Sequence, residues 1–181
     1  MRAGGLRYWI WAALFAALTA VGAQIRIPMV PVPITFQTFF VYLAGGFLGA
    51  RWGAVSQFFY LILGLAGLPV FAGESGPALL LSPTIGYLLS FPLAAWLTGV
   101  LIARKSDWQI SRLIFVYAVA ALLILALGVA GLFLIQNLYL GAAFSVRTLL
   151  ISGMLVFLPG EFVKIFLAAF VTRKLQPLLD L

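Results

Sequence analysis

LIFVYAVAALLILALGVAGLFLI, residues Leu113–Ile135, runs for 23 residues without one charged or amide side chain. A helix that crosses a bilayer needs about 20 apolar residues in a row. Five more runs of the same character lie at Tyr8–Ile25, Ile34–Ala50, Trp52–Phe71, Thr84–Ala103 and Thr148–Thr172. Four of the six meet the length comfortably. Ile34–Ala50 is slightly short, and Trp52–Phe71 contains Gly64, Gly67 and Pro69. Those breakers predict an early helix end, with Leu68 to Phe71 as loop or re-entrant backbone. The pattern predicts an all-α integral membrane protein with six transmembrane helices, built as a single substrate-binding domain over residues 1–181.

Composition agrees. Of 181 residues only 8% are charged and 65% are hydrophobic, with a mean hydropathy of +1.18. A soluble domain carries roughly 25% charged residues, so the missing polar surface must face lipid. Cysteine and histidine are absent, which removes thiolate chemistry and the commonest general base and metal ligand. The four carboxylates are Glu74, Asp107, Glu161 and Asp180, so no metal site and no catalytic residue is expected. The net charge of +7 is spread singly between apolar runs, whereas nucleic-acid binding needs a clustered basic face. No phosphate-binding glycine loop and no internal repeat is present. If the chain concentrates a substrate, another subunit must supply the energy.

Lys and Arg set the orientation. With the N-terminus inside, Arg2, Arg7, Arg51, Arg104, Lys105, Arg112, Arg173 and Lys174 fall at cytoplasmic ends, against Arg26 and Arg147 outside. Both termini are therefore expected in the cytoplasm. A rival reading of the start is a cleaved signal peptide, with Val21-Gly22-Ala23 as the cleavage site; cleavage would leave five spans. The first segment carries Ala12, Ala16 and Ala20, with Ala13 and Ala17 beside them. Small residues every fourth position make a smooth strip that admits another helix. That helix is either part of this chain or part of a second membrane subunit. Gly45, Gly49 and Gly53 repeat the spacing around Arg51, where a tight turn is the simpler explanation.

The chemistry concentrates in Leu158-Pro159-Gly160-Glu161-Phe162-Val163-Lys164. Glu161 and Lys164 share one helix face, and each costs about 2.5–3.5 kcal/mol at a bilayer centre. Lys164 lies nine residues before Arg173, roughly 13 Å along a helix. Both charges should face a polar cavity or one another. Pro159 and Gly160 predict a kink or interruption just before them. Two outer loops are candidates to complete a site. One is the extended proline-rich segment Pro28–Gln37, with Thr35 and Gln37 able to hydrogen-bond. The other is Gly67–Thr84, flanked by Phe71 and Tyr87, which is long for an idle connection. A pair that only fixes packing, between two ordinary connections, is the bland alternative.

Several of these stretches are similar to the motifs of one family. Pro31-Val32-Pro33-Ile34-Thr35-Phe36-Gln37-Thr38 resembles the first-loop motif of BioY proteins, the biotin-binding S components of energy-coupling factor (ECF) vitamin transporters. So do Leu43-Ala44-Gly45-Gly46, Gly67-Leu68-Pro69-Val70-Phe71-Ala72-Gly73, Pro83-Thr84 with Gly86-Tyr87, and Pro159-Gly160-Glu161 with Lys164. The resemblance implies an ECF S-component-like fold in the bacterial plasma membrane. It implies a pocket near the outer face, with Glu161, Lys164, Thr35, Gln37, Phe71, Thr84 and Tyr87 as candidate substrate-binding residues. It also implies a transmembrane coupling subunit (T component) and two cytoplasmic ABC-type ATPases as partners. The alanines at 12, 16 and 20, or at 13 and 17, then become the candidate interface. The chain departs from the family where Glu161 replaces the usual Asp and where Ser82 and Ile85 replace two glycines; Ile85 is expected either to narrow the pocket or to shift the backbone there. Biotin would be a transported ligand, with no cofactor. Its urea nitrogens suit Glu161, its urea oxygen or carboxylate suits Lys164, and its fused ring suits Phe71 and Tyr87. The alternatives are an S component or free-standing facilitator for another small vitamin, an intramembrane enzyme, or a structural or assembly protein.

Overall fold

The computed structural model describes residues 3–103 and 109–175. Arg2, Arg104, Lys105, Asp107 and Asp180, and with them part of the charge asymmetry and the two ends of the domain, lie outside the described residues. The order is α1 (Ala3–Gln24), β1 (Arg26–Ile27), β2 (Ile34–Thr35), α2 (Gln37–Leu65), α3 (Ile85–Ala103), α4 (Ile110–Phe133), α5 (Val146–Gly153) and α6 (Leu158–Leu175). Among the described residues, four helical stretches are long and apolar enough to cross a membrane: Gly5–Gln24, Ile85–Ala103, Ile110–Tyr139 and Val146–Leu175.

Helix α2 is folded in half. Gly49 takes φ +72°, inside α2, a backbone conformation that glycine adopts without steric cost. A Cβ on Gly53 would come within 2.9 Å of the Gly45 Cα, whereas eight residues of straight helix span about 12 Å. Gln37 Nε2 donates to Tyr60 Oη at 2.6 Å, 23 positions along the chain. The chain therefore reverses at Gly49, and residues 37–48 and 50–65 are antiparallel arms. Ile34–Ala50 and Trp52–Phe71 are these arms, joined by the tight turn that the glycine spacing predicts. Helix α3 lies directly on that hairpin, because Cβ atoms at Gly45 and Gly99 would fall 2.4 Å from the Ala95 carbonyl oxygen and 2.1 Å from the Ala50 nitrogen. Without side chains at these points, backbones approach closely, and dispersion contacts replace the missing hydrophobic drive between helices in lipid.

Helix α1 packs on α2 through Ala12, Phe15, Ala16 and Thr19, all buried. Gln57 on α2 donates to Thr19 Oγ1 at 3.2 Å. The alanine strip thus divides. Ala12 and Ala16 are consumed by packing inside the chain and Ala20 is half-buried, while Ala13 and Ala17 are exposed. Of the five alanines, Ala13 and Ala17 are therefore the ones this chain leaves uncovered.

Two connections depart from expectation. Pro28–Gln37 is not a single extended segment. Strands β1 and β2 pair antiparallel, Arg26 opposite Thr35, and the Phe36 amide reaches back to the Gly22 and Ile25 carbonyls at 3.0 Å each. The prolines occupy the bend of this ribbon, where no ladder donor is required. The loop after α2 contains a short 3-10 turn at Pro77–Leu81 and is tied down by Gly76 N–H to the Gly64 carbonyl, 2.7 Å.

The last apolar run is also broken, upstream of its proline. Met154 leaves helical geometry at φ −134°, ψ −59°, a 3-10 turn covers Leu155–Phe157, and α6 starts afresh at Leu158. Pro159 sits in the first turn of α6, where its missing N–H costs nothing because that donor has no helical partner anyway. It starts a helix here instead of kinking one.

Candidate functional site

Helix α6 carries Glu161 and Lys164 one turn apart, and both are only 4% exposed. Burying either alone is costly, and the neighbourhood shows how the cost is met. The Lys164 ammonium contacts the Glu161 carboxylate directly. It donates also to Thr38 Oγ1 at 2.6 Å and to the Thr35 carbonyl at 3.0 Å. The Thr38 hydroxyl in turn donates to Glu161 Oε1 at 2.9 Å. Tyr42, one turn further along the first arm of α2, donates to Glu161 Oε2 at 2.5 Å. An ammonium has three donors, and here all three have acceptors on the chain.

Apart from Tyr42, which stands behind them, these groups form one wall of an open-mouthed cavity. All seven predicted site residues line it: Thr35, Gln37, Phe71, Thr84, Tyr87, Glu161 and Lys164. Four elements that are distant in sequence deliver them. The β2 strand and the start of α2 bring Thr35 and Gln37, with the Thr35 hydroxyl donating to Gln37 Oε1 at 2.6 Å. The loop after α2 brings Phe71, the start of α3 brings Thr84 and Tyr87, and α6 brings the charges. Thr84 Oγ1 shares a 2.9 Å hydrogen bond with Ser82 Oγ.

Phe71 is held by its surroundings. A Cβ on Gly64 would lie 2.0 Å from its ring, so only glycine leaves room for the ring there. Tyr60 packs edge-on at 5.1 Å and donates to the Val70 carbonyl at 3.0 Å. Tyr87 is more committed than its sequence position implies. Its ring fills the space above Gly128, where a Cβ would come within 2.1 Å, and its hydroxyl donates to the Gly153 carbonyl at 2.6 Å. It therefore ties α3 to the break before α6, and presents a ring to the cavity while its polar end is spent. Ile85 is buried but does not line the cavity, so this substitution does not narrow it.

Sequence reasoning missed Thr38 and Tyr42, which complete the coordination of Glu161. Their positions four apart on an otherwise apolar arm carry a signal, since hydroxyls on one helix face in lipid need a partner. It also missed Phe91, Ile124, Leu125 and Phe157, because an apolar lining residue in an apolar chain has no distinguishing mark. Tyr42→Phe is expected to destabilise the protein by about 1.5–3 kcal/mol, the worth of a hydrogen bond to a charged group. Thermal melting in detergent measures it, and an unchanged midpoint would show that Glu161 does not depend on this donor.

Comparison with known proteins places the chain. The "Biotin transporter BioY" of Thermotoga maritima is 37% identical over 177 residues, spanning 96% of this chain and 98% of its own. A "Probable biotin transporter BioY" of Lysinibacillus sphaericus is 38% identical over 163 residues, spanning 90% of this chain and 83% of its own. The solved S-component for biotin from an ECF-type ABC transporter matches the fold with a TM-score of 0.82 at 28% identity, covering 98% of this chain and 94% of that one. The BioY family pattern runs through residues 2–180, and the chain belongs to the BioY family.

Proposed function

We propose that this protein is the biotin-binding S component of an ECF-type vitamin uptake transporter. The observation that carries the reading is a neutral but fully hydrogen-bonded Glu161–Lys164 pair set in the wall of an otherwise largely apolar cavity. A pair kept only for packing gains little over apolar side chains. A pair that faces a cavity has a ligand to recognise, and biotin matches it. Its two urea N–H groups suit the Glu161 carboxylate, its urea oxygen suits the second Nε2–H of Gln37, the first being spent on Tyr60, and its fused rings suit Phe71, Phe91 and Tyr87. The family membership and the biotin transporters among the relatives support the same ligand.

In this reading the chain crosses the bacterial plasma membrane six times, as α1, the two arms of α2, α3, α4 and the α5–α6 unit. Both termini face the cytoplasm, supported by Arg7, Arg51, Arg112, Arg173 and Lys174 at one set of helix ends. Transport requires a transmembrane coupling subunit and two cytoplasmic ATPases, since the chain has no nucleotide-binding loop of its own. The exposed Ala13 and Ala17 on α1 offer the smooth strip on which the coupling subunit docks. No covalent chemistry is involved.

Isothermal titration of biotin into detergent-purified protein tests the ligand. Tight one-to-one binding is expected. No heat from protein with intact circular dichroism would replace biotin by another small vitamin.

A further inference from the structure

An open groove runs along the outside of the bundle between the β1–β2 ribbon and α6, lined by Ile25, Ile27, Ile34, Phe36 and Val163. Ile25, Ile27 and Val163 are all more than half exposed, and Gly160 adds no side chain to fill the space. The groove lies behind the main cavity, closed off from it by the Thr35 carbonyl and the Lys164 ammonium, which bond to each other at 3.0 Å. Arg26 lines the groove too. It is exposed, no carboxylate stands in the groove with it, and it has no hydrogen-bond or ion-pair partner among the described residues.

Height in the membrane decides what fits there. Helix α1 has 22 residues, about 33 Å of length, against a hydrocarbon layer about 30 Å thick. Arg7 stands near one end and Arg26 just past the other, so Arg26 falls at the headgroups of the leaflet opposite Arg7. The apolar lining continues inward from it. The Phe36 amide bonds to the Gly22 carbonyl inside α1, and Val163 belongs to the second turn of α6. A cation at headgroup level beside an apolar trough matches the two-part chemistry of a phospholipid. We propose that the groove holds one phospholipid, its phosphate paired with Arg26 and one acyl chain laid along the isoleucines, Phe36 and Val163. A guanidinium suits the headgroup because it meets two phosphate oxygens at once. The chain covers the outer side of the Thr35–Lys164 bond, so the wall of the cavity faces hydrocarbon instead of water. This site is separate from the ligand cavity and does not depend on what that cavity binds.

The test is titration of phosphatidylglycerol into the full chain in a neutral detergent, with bound lipid counted by native mass spectrometry and melting followed in parallel. The proteins are wild type, Arg26→Gln, Val163→Trp and, as a control, Arg147→Gln, which removes an exposed cation that does not line the groove. Wild type and Arg147→Gln should each retain one lipid. Arg26→Gln should need about fivefold more lipid for the same occupancy, a modest factor because an exposed charge pair is weak. Val163→Trp, whose indole fills the trough, should lose the bound lipid. Lipid that binds the folded state raises its melting temperature, so the rise seen in wild type should shrink in Arg26→Gln. Equal occupancy in wild type and Arg26→Gln, or an equal loss in Arg26→Gln and Arg147→Gln, would overturn the proposal. Wild-type protein that retains no discrete lipid would overturn it too, and would leave the groove to a helix of a partner subunit.

Discussion

Lys164→Ala is expected to lose biotin binding by at least roughly a hundredfold, while Arg173→Ala, nine residues along the same helix, keeps it. Hydrogen bonds to charged groups are worth about 1.5–3 kcal/mol, and removing the ammonium also leaves Glu161 without its counter-charge. Breaking a buried pair from one side costs about 3–5 kcal/mol, so the single variant should also melt early. That coupling of stability to binding is resolved by a double variant. Glu161→Gln/Lys164→Met retains an acceptor for Tyr42 and Thr38, removes both charges, and conserves volume. Its melting temperature should return close to that of the wild type while biotin binding stays lost. Titration and thermal melting of the three proteins measure this. Equal affinity in Lys164→Ala and Arg173→Ala would sink the site assignment, and wild-type binding by the double variant would reduce the pair to packing.

Gly99→Ala should cost about 1–3 kcal/mol of stability, the range for overpacking a fitted core. The added Cβ meets the Ala50 nitrogen at 2.1 Å and the Gly49 carbonyl carbon at 2.4 Å. Both are backbone atoms at the turn of the α2 hairpin, so no rotamer change relieves the clash, and α3 must move off the hairpin as a body. Gly5→Ala is the control, since nothing lies within 4 Å of a Cβ there. Melting followed by circular dichroism should separate the two variants clearly. Coincident curves would mean that the α2–α3 contact is loose.

The apolar segments were legible because lipid leaves a chain few options: uncharged runs of sufficient length must be helices. Breakers were legible as breakers, but their consequences were not. Gly49 and Pro159 both interrupt helices in principle. Gly49 reverses the chain because Gly45 and Gly53 let the arms close on each other, whereas Pro159 merely begins α6, the break having occurred at Met154, an ordinary helix former. Tertiary packing decides such cases. At the site, Glu161 and Lys164 stood out because charge in an apolar run has no idle explanation. Thr38 and Tyr42 touch Glu161 across 123 and 119 residues of sequence, a proximity that only the assembled bundle creates. Tyr87 was legible as a residue of the cavity wall, yet its bond to Gly153 was not, because a carbonyl exposed by a helix break leaves no trace in side-chain identity. The register of the alanine strip was likewise open until Thr19 and Gln57 fixed which side of α1 faces inward.

The spacing of the charged pair bears on biosynthesis as well. Glu161 and Lys164 lie on one apolar helix, and each carries an insertion cost of about 2.5–3.5 kcal/mol near the bilayer centre. Because they are three residues apart on one helix, they can neutralise each other before any neighbour has docked. Thr38 and Tyr42 contribute only on assembly. The i,i+3 spacing thus lets the two charges enter the membrane as a net-neutral dipole, so the arrangement that lines the cavity also lowers the cost of integrating α6.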